Sequence, residues 1–253
     1  MSRLTSSTGA FLAAVTFYTR IPIPAQWHAL VTKDALAHSA PWLPWLGGAI
    51  GGASALVFML SSHRLGAPLA SVLALTCGIL LTGAFHEDGL ADMADGFGGG
   101  WTKADVLRIM KDSTHGSYGV LAMILAILAK IFALSHMDPS RAPLILIACH
   151  TAARSMAITF FATHDYVREE GKAQNVTARL PWIDLVWGLI PGAVGLLLVG
   201  WQVALVTTGV LLGLRMYLGR LFRRKIGGYT GDCLGASEQL AEVAVLITCT
   251  ALG

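Results

Sequence analysis

Three aspartates, Asp88, Asp92 and Asp95, stand at helical offsets of four and seven within His86-Glu87-Asp88-Gly89-Leu90-Ala91-Asp92-Met93-Ala94-Asp95-Gly96. On a helix this spacing brings their carboxylates into one narrow stripe. Like charges so arranged repel one another, and at the end of an apolar run the repulsion is relieved by a cation. Hard divalent ions such as Mg²⁺ take oxygen ligands of this kind. The stripe therefore reads as a metal site, against the plainer alternative of a solvated acidic helix end. The Asp-x-Asp-x-Asp-Gly spacing of a calcium-binding EF-hand is absent. The run Gly98-Gly99-Gly100 that follows ends the helix and lets a phosphate or another backbone come close.

Two further polar clusters carry candidate residues. In Lys111-Asp112-Ser113-Thr114-His115-Gly116-Ser117-Tyr118-Gly119, amides, hydroxyls and one ammonium precede an apolar run. They suit an anion held at a helix start, with Lys111 and Ser113 as substrate contacts, or ordinary capping by Ser113 or Ser117. His86 and His115 are either general bases or polar anchors at a membrane edge. In Gly227-Gly228-Tyr229-Thr230-Gly231-Asp232, Gly231 is a candidate substrate contact and Asp232 a further oxygen ligand, with Glu238 opening the last apolar run. Arg220, Arg223, Arg224 and Lys225 anchor the chain at the membrane or attract a phosphorylated substrate. Lys130 and Arg154 sit inside apolar runs, where a charge needs a partner or a wet cavity. They are assigned to substrate phosphate, the alternative being an ion pair with one of the aspartates. The segment from Tyr166 to Lys172 mixes both signs and either closes over a site or forms a solvated turn.

The elements that must position these groups follow from composition. Of the 253 residues 13% are charged, 55% are apolar and 28 are glycine, and the mean hydropathy is +0.63. Soluble domains carry about twice that share of charge, so the chain reads as an all-α, polytopic transmembrane bundle, one integral membrane domain over residues 1–253. Apolar runs predict about seven spans, at 41–60, 67–85, 118–136, 142–162, 182–200, 201–218 and 238–252. The segment 4–19 either lies in the interface, re-enters, or adds a span. Alternating the spans puts fourteen of the eighteen Lys and Arg on one side, with only Arg64 and Arg141 opposite. The loops 86–117, 163–181 and 219–237 are then cytoplasmic, with the active site on that face. A net charge of +3 without a cationic tract speaks against nucleic acid. The scattered cysteines Cys77, Cys149, Cys233 and Cys249 read as small packing residues.

Taken together, Phe17-Tyr18-Thr19-Arg20-Ile21-Pro22-Ile23-Pro24, His86-x-Asp88-Gly89-Leu90-Ala91-Asp92-x-x-Asp95-Gly96, Met110-Lys111-Asp112-Ser113-x-x-Gly116-x-x-Gly119, Arg168-Glu169-Glu170-Gly171 and Gly227-Gly228-x-Thr230-Gly231-Asp232-x-x-Gly235-Ala236 resemble the cobalamin synthase family. The resemblance covers nearly the whole chain. It implies a Mg²⁺-dependent, multi-pass enzyme of the cell inner membrane that joins adenosylcobinamide-GDP to alpha-ribazole or its 5′-phosphate and releases GMP. The aspartates of the family's central motif fall on Asp88, Asp92 and Asp95 and its Gly-Asp motif on Gly231 and Asp232; the chemistry of the reaction then suggests that Asp88, Asp92, Asp95 and Asp232 hold one or two Mg²⁺, with Asp92 and Asp95 catalytic and Asp95 accepting the hydroxyl proton. Membrane lipid surrounds such a protein, and a second copy or other corrinoid-pathway enzymes are its expected partners. Two departures stand out: Thr114 replaces the family's frequent basic residue, and Glu87 its frequent apolar one. The rival readings are a CDP-alcohol phosphotransferase, whose Asp-Gly-x-x-Ala-Arg signature is not met, and a cation-coupled transporter using Lys130 and Arg154.

Overall fold

The computed structural model describes residues 3–168 and 179–253, with the backbone alone for residues 3–6. It is a bundle of helices without a sheet among the described residues. The order is α1 (Arg3–Tyr18), α2 (Lys33–Ala37), α3 (Leu43–Thr82), α4 (Phe85–Gly99), α5 (Lys103–Ile109), α6 (Ser117–Ser135), α7 (Ala142–Thr163), α8 (Trp182–Val199), α9 (Trp201–Ile226) and α10 (Gly231–Ala251). Six of these are long and apolar enough to cross a membrane.

The first of the six accounts for two predicted spans. At 40 residues α3 would be about 60 Å long if straight, twice the hydrocarbon thickness. It breaks at Gly66, whose φ of 77° suits a residue without a Cβ. Its arms then fold back on each other: a Cβ on Gly78 would lie 3.3 Å from Ser54 Oγ, and these positions are equidistant from Gly66. Counted by arm, the bundle offers seven passes. α1, at 16 residues, is too short for a straight crossing, and its end is tied to α3 by the Arg20 amide, which donates to Leu81 O (2.7 Å).

α7 is the axis of the bundle. Of its apolar window 83% is buried, against 28% for α6, and one continuous apolar core runs from Ala14 to Cys249. The four cysteines are free, and all but Cys77 are buried. α10 departs from expectation. It begins at Gly231, with Thr230 Oγ1 accepting from the Cys233 amide (3.3 Å), well before the predicted start at 238. The seven residues from Gly231 to Ser237 are mostly small or polar, so the apolar run starts only at 238, and Glu238 and Glu242 within that run face the protein interior.

The polar connections gather at one end of the bundle, while Gly66, Arg141 and Gly200 mark the other. Contacts between loops distant in sequence hold that end together. Lys225 Nζ donates to Phe97 O (2.8 Å). The Val167 amide donates to Tyr229 O (3.0 Å) and the Tyr229 amide to Asp165 O (2.9 Å).

Candidate active site

α4 starts abruptly. Gly83 and Ala84 both take left-handed backbone, which ends α3 and turns the chain so that α4 runs along the loop end of the bundle. Its acidic stripe forms as the spacing predicts, but its members diverge in role. Asp88 is exposed (64%) and Asp92 largely covered (16%). The ring of His115, from the α5–α6 loop, sits between them, with Nε2 3.8 Å from Asp88 Oδ1 and Nδ1 3.8 Å from Asp92 Oδ1. One ligand atom from each of the three lies within 4.8 Å of the others. Burial, and then repulsion from Asp232 and Asp88, push the Asp92 carboxyl up to about 7. Crowded acids whose ionisation is so opposed fit a divalent cation, which would relieve the repulsion.

Asp95, expected beside them as ligand and proton acceptor, is placed differently. It is buried, and its Oδ2 and Oδ1 accept from the backbone amides of Gly116 (2.7 Å) and Gly119 (2.9 Å). The start of α6 therefore does hold an anion, but the anion is the protein's own carboxylate. It satisfies amides that Ser113 or Ser117 were expected to cap, and the N-cap itself is Gly116. A Cβ at Gly116 or Gly119 would come within 2.5 or 2.4 Å of the Asp95 oxygens, so both positions require glycine.

The start of α10 completes the cluster. Gly89 and Gly235 face each other across α4 and α10: a Cβ on Gly89 would meet Asp232 O at 3.0 Å, and one on Gly235 would meet His86 O at 3.1 Å. Such an approach, available only to small residues, brings Asp232 beside the α4 stripe. Asp232 Oδ2 accepts from Arg168 Nη2 (2.6 Å), and the same nitrogen donates to Met110 O (3.0 Å), so one guanidinium ties α10 to the end of α5. Gly231 opens α10 next to Asp232, while Lys111 and Ser113 are exposed in the α5–α6 loop. Of the motif Arg168-Glu169-Glu170-Gly171 only Arg168 is placed, since residues 169–172 lie outside the described residues.

The two buried cations, expected on substrate phosphate, are instead paired within the protein. Lys130 Nζ donates to Glu242 Oε2 and Gln239 Oε1 (2.5 Å each). Arg154 Nη2 lies 2.6 Å from Glu238 Oε1, and Nη1 lies 3.2 Å from Glu242 Oε1. His150 and His86 join through Glu242 (2.9 Å) and Glu238 (2.9 Å). Two cations thus meet two carboxylates beneath the aspartate stripe, and their partners are glutamates of α10 instead of aspartates. His86 is accordingly a buried anchor. Glu242 passed unremarked in the sequence reading, although Glu238 and Glu242 one turn apart in an apolar run balance Lys130 and Arg154 in charge. His115 was weighed only as a base or an anchor, because nothing local reveals that its loop folds back over α4.

No solved structure matches the chain. An adenosylcobinamide-GDP ribazoletransferase of Ralstonia nicotianae is 42% identical over 250 residues, covering 97% of this chain and 96% of the relative. Proteins of the same name from Ralstonia pickettii and a Shewanella species are each 42% identical, over 250 and 248 residues. The family model described as cobalamin-5-phosphate synthase matches residues 10–250. On a match of that extent, this chain belongs to the cobalamin-5-phosphate synthase family.

Proposed function

We propose that this chain catalyses the reaction its relatives are named for, joining adenosylcobinamide-GDP to alpha-ribazole or its 5′-phosphate with release of GMP. The observation that carries the proposal is 42% identity over 97% of the chain to a protein of that name. The rival readings lose their footing: these relatives are not lipid CDP-alcohol transferases, and the buried charges that suggested a transport path are paired off within the protein.

In this reading a ribazole hydroxyl attacks the phosphorus nearer the corrinoid, a new O–P bond forms, and the bridging P–O bond breaks so that GMP leaves. Asp88 and Asp92, with Asp232 alongside, would hold Mg²⁺, which when bound neutralises diphosphate charge. Mg²⁺ prefers oxygen donors, so His115 stands as the proton acceptor. Asp95 acts as a positioning residue, fixing the α5–α6 loop that carries His115 over α4. In this reading the protein sits in the inner membrane, and the excess of Lys and Arg at this end of the bundle, with only Arg64 and Arg141 on the far side, supports a cytoplasmic active-site face.

Purified protein supplied with adenosylcobinamide-GDP, alpha-ribazole and Mg²⁺ should release GMP together with the joined corrinoid. Failure to release GMP from that mixture, while a CDP-alcohol yields CMP, would overturn the assignment. Replacing His115 by alanine should slow turnover by about 10² to 10⁴, the range for loss of a positioned base, with the Mg²⁺ requirement unchanged. A raised Mg²⁺ requirement at normal saturated turnover would instead make His115 a ligand.

A further inference from the structure

An open cavity of about 400 Å³ lies on the flank of the bundle between the end of α7, the start of α8 and the last turns of α9. It shares no residue with the aspartate cluster. Its lining includes Arg215, Arg220, Arg223, His164 and Thr163, with Leu185 and Met216 on the apolar side.

The cavity is built for Arg215. Gly219 leaves the space, since a Cβ there would lie 2.8 Å from Arg215 Nη1 and 3.0 Å from His164 Nε2. The guanidinium lies 4.4 Å over the Phe160 ring, donates from Nε to Thr159 Oγ1 (3.0 Å) and reaches Thr163 Oγ1 through Nη2. Arg223 Nη2 donates to Thr163 O (3.0 Å) at the end of α7. These are neutral partners. Among the described residues, no carboxylate lies within 4.0 Å of Arg215, Arg220 or Arg223, whereas Arg154 and Arg168 are both paired with acids. His164 feels the net positive field: burial first, and then Arg215 and Arg223, hold its imidazole below the usual range against the opposing pull of the Gly219 carbonyl and Asp165.

On its outer side the cavity meets the lipid-facing surface of α9, where Leu212, Met216 and Tyr217 are each more than half exposed. Trp182, at the start of α8, is 74% exposed, as suits an aromatic residue at the membrane interface. Arginines that no described carboxylate touches, at interface depth and continuous with an apolar flank, are complementary to an anionic amphiphile.

We propose that this cavity binds the headgroup phosphate of an anionic phospholipid, with Arg215, Arg220 and Arg223 around the phosphate and the acyl chains lying past Met216. The site does not depend on the reaction assigned above. Basic pockets between helices on the positive side of a membrane protein bind such headgroups by charge and shape. A general excess of positive charge would not need a cavity or the packing of Arg215 on Phe160.

Native mass spectrometry of the detergent-purified full chain, given equal phosphatidylglycerol and phosphatidylcholine, tests this. Phosphatidylglycerol adducts should exceed phosphatidylcholine adducts by about tenfold or more. R215Q/R220Q/R223Q should erase the preference, while K33Q/R64Q/R108Q, with the same loss of charge elsewhere, should keep it. Should the first triple variant fail to fold, R220E, at an exposed position, should reduce the preference severalfold. Equal binding of the two lipids by the unmodified protein, or a preference that survives these cavity substitutions, overturns the proposal. Displacement of phosphatidylglycerol by millimolar inorganic phosphate would make this a free-phosphate site and would overturn the lipid assignment.

Discussion

Asp92→Ala should lower GMP release by about 10³-fold or more while leaving the protein monodisperse in detergent, because it removes the better covered of the two α4 carboxylates assigned to Mg²⁺. Asp92 lies at the middle of the cluster. It is repelled by Asp88 and Asp232, drawn toward His115, and pushed up to about 7 by burial and those neighbours. The metal-free carboxyl is thus half protonated near neutrality. Since a carboxylate must lose its proton to bind a cation, the Mg²⁺ concentration giving half-maximal rate should rise as pH falls below 7, approaching tenfold per pH unit. Above pH 7 it should level off, because the group is already ionised. Asp88→Ala, removing a more exposed ligand, should chiefly raise the Mg²⁺ requirement. Near-normal turnover by the Asp92 variant, or a half-maximal Mg²⁺ concentration that ignores pH between 5 and 8, would remove Asp92 from the metal site.

The largest effect on stability is expected at a residue that touches no substrate. Glu242 receives Lys130, Arg154 and His150 at once, and all four side chains are buried. Glu242→Ala would leave Lys130 with only the Gln239 amide and remove one of Arg154's two carboxylates. Stripping one partner from a buried ion pair costs about 3–5 kcal/mol, and the unfolding midpoint should fall by about 10 °C in the same detergent. Replacing both members of the pair, as in Lys130→Met with Glu242→Met, removes the stranded charge. The Arg154–Glu238 pair stays intact, so this variant should recover most of the loss. If the double variant melts as low as the single one, the network is not the balanced unit described.

How far these sites could be read from sequence depended on whether they are local. The α4 stripe was legible because a helix converts offsets of four and seven into adjacency without help from the rest of the fold. The spans were legible because lipid selects on composition, and the hairpin at Gly66 matched the gap between two predicted runs. Asp95 was read with its neighbours because it shares their spacing. What removes it from them is a pair of amides more than twenty residues downstream, visible only once α6 is docked. The roles of Lys130 and Arg154 were misread for a related reason. Composition announced two charges in lipid, but their answer lay about ninety or more residues away on α10, inside the predicted run 238–252, where only the docked helices show which cation each glutamate meets.

The contact between Gly89 and Gly235 has a bearing on how this enzyme can change. Where two helices touch backbone to backbone, no side chain is left to act as an adjustable spacer, and the gap between the α4 acids and Asp232 becomes a fixed gauge. Adaptation to a bulkier or smaller base would then have to be written into the surrounding loops, and a library built to alter specificity should leave this glycine pair untouched.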